Sequence, residues 1–173
     1  MLNYLFNLIY ELFTMTNFRI ENDSLGDYEV EDNALWGIFT QRVKDTYSKL
    51  SGEHMPYEFL LNYVRAKKVY AKVNLSVNKL DQKTGEAIIS SCEELERLSR
   101  EEFLKHFPID KYQAGGGTAT NMNVNEVIAN ITEEALGGKR GENKLVNPND
   151  HINMSQSTND TFPGVTRITT IIQ

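Results

Sequence analysis

The chain has 173 residues, of which 40% are hydrophobic and 24% are charged, and its formal net charge is −6. This composition is typical of a folded globular protein, and the length suits one domain but is too short for two of ordinary size. Acidic residues are spread along the chain, and no basic face alternates with aromatic residues, so the sequence argues against nucleic acid as a partner.

The apolar segment from Met1 to Phe13 is too short to span a bilayer. It carries Glu11 and lacks the basic start and the cleavage site of a secretory signal. We therefore predict a cytoplasmic protein that does not cross a membrane. A docking helix or a weak contact with a membrane surface remains open for this segment. The alternative is an artefact of an upstream start site, since residues 15–21 are typical of an N-terminus by themselves. Residues 1–15 are accordingly assigned to an N-terminal extension.

The stretch from Phe18 to Val43 has an irregular pattern, with a turn signal at Gly26-Asp27 and a Trp36-Gly37 pair. It predicts extended segments and loops rather than a long helix. We interpret it as a structural arm and assign no chemistry to it.

A long helix is predicted to begin at Pro56. Its apolar face is formed by Phe59, Leu60, Tyr63, Val64, Tyr70, Ala71 and Val77. Its polar side carries Arg65, Lys67, Lys68 and Lys72. These four cations are expected to face solvent rather than to form a binding patch.

A second helix is predicted after Asp81–Gly85, and a short amphipathic turn starting at Glu101 is expected to stop at Pro108. The single cysteine, Cys92, lies at helical spacing within the second helix, which indicates a small buried residue rather than a reactive thiol. One cysteine cannot form an intramolecular disulfide or a cysteine-based zinc site, as is typical of a reducing compartment.

Three glycines, Gly115–Gly117, then interrupt the pattern. Asn123 and Glu126 form a capping-box signature ahead of the next apolar positions, so a glycine loop is expected to lead into a helix N-terminus. The backbone N–H groups and the helix dipole at such a place favour an anion. The later pair Gly137-Gly138 predicts a helix C-cap.

The segment from Asn147 to Pro163 combines amides, hydroxyls and carboxylates with few apolar residues. Four consecutive side chains can donate a hydrogen bond without carrying charge: Gln156, Ser157, Thr158 and Asn159. Neutral donors suit a carboxylate that must be held and later released. The same residue types are favoured in turns that cap helices, which is the alternative interpretation. His151 is a tempting general base, but its position beside Asp150 is more typical of a hydrogen-bonded structural residue.

These two segments resemble the aspartase/fumarase superfamily of lyases. The first motif is GTATNMNVNEVIAN, beginning at Gly117, and the second is NPNDH, beginning at Asn147, followed by QSTND, beginning at Gln156. A looser similarity extends from Arg19 to Arg167. Tyr112 and Thr158 are more similar to aspartate ammonia-lyase than to fumarase, in which Trp and Ser usually occupy these positions.

The resemblance implies a mainly α fold. The N-terminal domain of the superfamily would cover residues 16–155, and residues 156–173 would start its central helical bundle. Pro163 and Gly164 would lie in the first turns of the bundle helix, where a missing N–H costs little.

The function that the resemblance implies is aspartate ammonia-lyase, which converts L-aspartate to fumarate and ammonia without an organic cofactor or a metal. Its substrate would be a small dicarboxylate, and the complete enzyme would be a homotetramer. The residues that would bind the carboxylates are Thr118, Ser157, Thr158 and Asn159. Fumarate hydratase is the alternative activity, and a non-catalytic truncated member of the family is the alternative from another class.

The family's catalytic base is a Ser on a downstream loop, and no matching segment occurs before Gln173. We therefore expect the base beyond Gln173 and expect this chain alone to have no measurable lyase activity. We also expect four apolar side chains of the last helix to lack partners: Val165, Ile168, Ile171 and Ile172.

Overall fold

The computed structural model describes residues 17–47, 50–113 and 115–172, so the predictions for Met1–Phe13 lie outside the described residues. The described chain begins with an antiparallel hairpin of β1, Phe18–Asp23, and β2, Gly26–Glu31. Gly26 has φ 101°, a left-handed conformation that glycine adopts without steric cost. The turn predicted at this glycine and the extended segments beside it are confirmed.

Six α-helices follow within the described residues, so the predicted mainly α class is confirmed. In chain order they are α1 Ile38–Tyr47, α2 Tyr57–Ser76, α3 Gln82–Arg97, α4 Arg100–Leu104, α5 Thr118–Ala135 and α6 Thr158–Ile172. A π-helical turn, Pro148–Ile152, precedes α6. In these residues no helix is both long enough and apolar enough to cross a membrane.

Helix α1 was not predicted, because the groups that stabilise its N-terminus lie far away in the sequence. The Glu126 carboxylate accepts hydrogen bonds from the backbone N–H groups of Gly37, Phe39 and Thr40, at 3.1, 2.9 and 3.0 Å. These are N–H groups that an α-helix cannot satisfy internally at its first turn. A distant carboxylate therefore takes the place of a local capping residue.

The predicted capping box of Asn123 and Glu126 is wrong. Helix α5 begins at Thr118, directly after Gly117, so Asn123 and Glu126 lie within the helix rather than at its start. The side chains of Asn123 and Glu126 are both buried. Asn123 Nδ2 donates to the carbonyl oxygen of His106 at 3.1 Å. Burial raises the pKa of Glu126 to about 7, although hydrogen bonds from Thr40 and Phe39 oppose this. The more general prediction, a glycine loop leading into a helix N-terminus, is confirmed.

Helix α2 packs against α3 and α6 and lies at the centre of the hydrophobic core. The predicted apolar face is confirmed for Phe59, Leu60, Tyr63, Val64 and Ala71, which are all buried. It is wrong for Val77, which is 57% exposed at the end of the helix.

Cys92 is fully buried in α3, as predicted. Burial raises the pKa of its thiol to about 12, so the thiol is protonated and unreactive at neutral pH.

Helix α6 contains Pro163 and packs against α2. The predicted lack of partners is confirmed for Ile168, Ile171 and Ile172, whose side chains are exposed in the described residues. It is wrong for Val165, which is buried in the core.

Gly117 connects the glycine loop to α5 with φ 93°, and a Cβ atom built on it would lie 2.1 Å from Cδ2 of Phe162. We expect Gly117→Ala to reduce the free energy of unfolding by roughly 1–3 kcal/mol, because the core must shift to accept the methyl group. Urea denaturation of the 173-residue chain measures this loss.

Gly116→Ala is the matched control, since a Cβ atom there meets nothing within 4 Å. Equal losses in the two variants would show that the contact between Gly117 and Phe162 is not tight.

Candidate functional site

A cleft of about 590 Å³ lies between the glycine loop and the start of α6. Its lining includes Gly115, Gly116 and Gly117 on one side and Asn159 and Phe162 on the other. Tyr112, whose ring is exposed, also lines it. The fold thus brings together the two segments that the sequence singled out.

The predicted carboxylate-binding residues are arranged unequally around this cleft. Asn159 is exposed and lines it, and Thr118 is exposed at the first position of α5. A Cβ atom built on Gly115 would lie 3.1 Å from Thr118 Oγ1, so this hydroxyl lies against the glycine loop. Thr118, Ser157 and Thr158 are outside the residues that line the cleft, although Thr118 directly follows Gly117 and the other two directly precede Asn159.

Ser157 caps α6. Its Oγ accepts a hydrogen bond from the Asn159 N–H at 3.3 Å, and its carbonyl oxygen accepts from Asp160 and Thr161 at 3.1 and 2.9 Å. The capping interpretation of the polar segment therefore holds at this residue. The side-chain amide of Asn159 remains at the cleft.

Gln113 fixes the first turn of α5. Its Oε1 accepts from the Thr120 N–H, and its Nε2 donates to Thr120 Oγ1, both at 2.7 Å. Thr120 is fully buried. The two bonds therefore hold Gln113, which precedes the glycine loop, against the first turn of the helix that follows the loop. The sequence alone predicted no structural role for Gln113.

A buried lysine lies between α5 and the polar segment that precedes α6. Lys67 Nζ donates to Asn121 Oδ1 at 2.9 Å, Asn153 Oδ1 at 3.0 Å and Gln156 Oε1 at 2.7 Å. The Tyr63 hydroxyl donates to the same oxygen of Asn121 at 3.1 Å. Burial lowers the pKa of Lys67 to about 7, because an ammonium group loses hydration inside the protein.

The prediction that Lys67 faces solvent is therefore wrong, since its side chain is 1% exposed. The residue lies four positions after Tyr63 and four before Ala71, which are both buried. Residues four apart share one side of a helix, so this spacing was the signal that could have placed Lys67 on the buried face.

Gln156 is likewise held internally. Its Nε2 donates to the carbonyl oxygens of Ile152 and Met154, at 2.8 and 3.2 Å. Both of its side-chain polar atoms thus bind groups of the protein itself. Its predicted role as a free donor is wrong.

His151 has a structural partner. Its Nδ1 accepts from the Asn147 N–H at 2.9 Å, while Asn147 Oδ1 accepts from the backbone N–H groups of Asn149 and Asp150. This arrangement agrees with the structural interpretation of His151. In the described part of the chain, no three His, Cys, Asp or Glu side chains are grouped so that they could hold a metal ion.

Comparisons with known proteins assign this chain to a family. A family model described as "Lyase" matches residues 26–173. The fumarate hydratase class II 2 of Pseudomonas aeruginosa is 42% identical over 159 residues, which are 92% of this chain and 32% of that protein. The fumarate hydratase class II of Wigglesworthia glossinidia brevipalpis is 46% identical over 154 residues, which are 89% of this chain and 32% of that protein.

The crystal structure of a fumarate lyase:delta crystallin from Brucella melitensis in native form superposes with a TM-score of 0.82 at 35% sequence identity. This match covers 90% of the present chain and 36% of the Brucella chain. The chain spans about a third of the length of the curated relatives that it matches. Family model, sequence identity and fold agree, and the chain belongs to the lyase family of the fumarase/aspartase superfamily.

Proposed function

We propose that this chain supplies the carboxylate-binding part of a lyase that interconverts L-malate and fumarate. The relatives named fumarate hydratase class II, at 42% and 46% identity, support this activity. They favour the hydratase alternative over the ammonia-lyase activity that Tyr112 and Thr158 indicated. The cytoplasmic location, the homotetrameric assembly and the domain division after residue 155, all implied by the resemblance, belong to the same proposal.

The chemistry calls for donors of the kind found at the cleft. When malate loses water, a proton leaves the carbon beside one carboxylate, and the hydroxyl group on the neighbouring carbon then departs. The intermediate is an enolate-like carboxylate with additional negative charge. Preorganised donors that meet this charge lower the barrier, whereas a group that binds substrate and transition state equally well does not raise kcat.

The structural observation that supports the proposal most directly is that Asn159 and Gly115–Gly117 line the same cleft. The Asn159 amide is a neutral donor, and the N-terminus of α5 adds the positive end of its dipole. We assign Thr118 and Asn159 to the substrate carboxylates, with Ser157 and Thr158 as the further members implied by the resemblance. By the same resemblance, proton abstraction belongs to a Ser in a downstream segment of the family, and the residues assigned here bind and orient the substrate.

Two chimeras test the reaction. Residues 17–172 replace the matching segment of the Pseudomonas aeruginosa enzyme in one chimera and that of an aspartate ammonia-lyase in the other. We expect the first to release fumarate from L-malate, followed by ultraviolet absorbance. We expect the second to lose turnover of L-aspartate, because the carboxylate-binding part is then matched to the wrong reaction.

The parent enzymes, assayed in parallel, are the controls for expression and folding. Sustained turnover of L-aspartate in the second chimera, with little turnover of L-malate in the first, would assign the segment to an ammonia-lyase instead.

A further inference from the structure

We infer that Lys67 is a positioning residue that fixes the glycine-loop end of α5 and the polar segment before α6 relative to each other, an inference that rests on the proposed function. Lys67 lies on α2, which contributes no residue to the lining of the cleft. It therefore acts on the site through other residues rather than by touching the substrate.

The argument begins with what the lysine connects. Asn121 follows Thr118 by three residues in the first turn of α5, and Gln156 precedes Asn159 by three residues. Lys67 Nζ binds the side-chain oxygens of both amides, at 2.9 and 2.7 Å. A single nitrogen atom thus links the segment that carries Thr118 to the segment that carries Asn159.

The surrounding amides leave little freedom of orientation. Asn153 Oδ1 accepts from Lys67 Nζ at 3.0 Å and also from Nδ2 of Asn121 and Asn125, at 3.1 and 3.3 Å. In its protonated form the Lys67 amine has three N–H donors, and three amide oxygens lie within hydrogen-bonding distance of it. Removal of the Lys67 amine would leave buried amide oxygens with fewer hydrogen-bond donors, which destabilises the folded state. The start of α5 and the polar segment before α6 could then move relative to each other.

The charges around Lys67 indicate that it does not serve as half of an ion pair. The titratable side chains that face it are Tyr63 on its own helix and Cys92 on α3, and burial raises the pKa of both. Helix α5 and the polar segment present amides to it. Lys67 therefore stabilises the fold by binding three amide oxygens that belong to two different segments.

Amide hydrogen exchange of the 173-residue chain tests the link directly. Lys67→Met keeps an unbranched side chain that is one atom shorter, and it removes all three hydrogen bonds. We expect exchange to become faster, by about tenfold or more, at 118–122 and 153–160 together, while the centre of α3 keeps its protection. A uniform increase over the whole chain, or no change in these two segments, would overturn the inference.

Glu133→Gln is the matched control, because it also alters a buried side chain with several hydrogen bonds, at the other end of α5. The Glu133 carboxylate accepts from the backbone N–H groups of Lys144, Leu145 and Val146. We expect faster exchange at 144–146 and no change at 118–122. If Lys67→Met does not fold, Gln156→Met removes one of the three contacts of Lys67 together with the bonds from Gln156 to Ile152 and Met154. Faster exchange at 118–122 as well as at 153–160 would support the link through Lys67, and a change confined to 153–160 would overturn it.

Kinetics of the hydratase chimera give the second readout. We expect Lys67→Met to lower kcat/KM for L-malate by about 10²-fold, with most of the loss in kcat, because small misplacements of binding groups weaken transition-state contacts most. Glu133→Gln should keep kcat near the parent value. Equal kcat in the two variants would refute the positioning role. An inactive parent chimera would count against the proposed function, while hydrogen exchange would still decide the inference.

Discussion

Replacing Asn159 by Ala in the hydratase chimera is expected to lower kcat for L-malate by about 10²–10³-fold, the usual effect of removing one preorganised donor from a developing oxyanion. The side chain lines the cleft, while its backbone N–H binds Ser157 Oγ and stays in place after the substitution. The fold should therefore survive. Steady-state kinetics and thermal unfolding, measured on the same preparation, separate the two effects.

Asn149→Ala is the matched control, since Asn149 is also exposed but lies outside the lining of this cleft. We expect kcat within about twofold of the parent, because no donor to the reacting groups is removed. Comparable losses at Asn149 and Asn159 would mean that the assigned cleft is not where the carboxylates bind.

The stability of the chain is expected to rise with pH between about 7 and 10 because of Lys67. Its pKa in the folded state is lowered to about 7 from the ordinary value of 10.5. In this pH window the unfolded chain binds a proton that the folded chain does not, so raising the pH favours the folded state. The gain is about 1.4 kcal/mol per pH unit, or up to about 4 kcal/mol over the window.

Urea denaturation at several pH values, for the parent chain and for Lys67→Met, measures this contribution as the difference between the two proteins. Other groups that titrate in both proteins cancel in that difference. We expect the parent chain to gain stability relative to Lys67→Met as the pH rises. A difference that stays constant from pH 7 to pH 10 would show that Lys67 keeps its proton in the folded chain throughout.

Local patterns predicted the elements whose stabilising groups are neighbours in the sequence. The turn at Gly26 and helix α2 after Pro56 are of this kind, because glycine conformation and apolar spacing act over a few residues. Helix α1 was missed because its first N–H groups bind Glu126 across the fold. The same long-range contact explains why Glu126 was misassigned to a local cap.

In the candidate site too, local patterns predicted some features, whereas others depend on contacts between distant segments. The glycine loop and Asn159 could each be selected from the sequence, but their meeting in one cleft depends on how α5 and α6 pack. Gln156 was misjudged because counting donors ignores the carbonyl oxygens of Ile152 and Met154 that the fold places beside it. Lys67 was misjudged because charge was given more weight than helical spacing.

The carboxylate that caps α1 also has a consequence for how the chain folds. Glu126 is 89 residues from Gly37 and 86 from Thr40 along the sequence. Helix α1 has ten residues, too few to be stable in isolation, and a cap supplied by α5 becomes available only after α5 has docked. Non-local contacts of this kind close long loops and slow the search for the native topology. Helix α1 should therefore form late in folding, and its backbone amides should open together with those of α5 rather than by independent fraying.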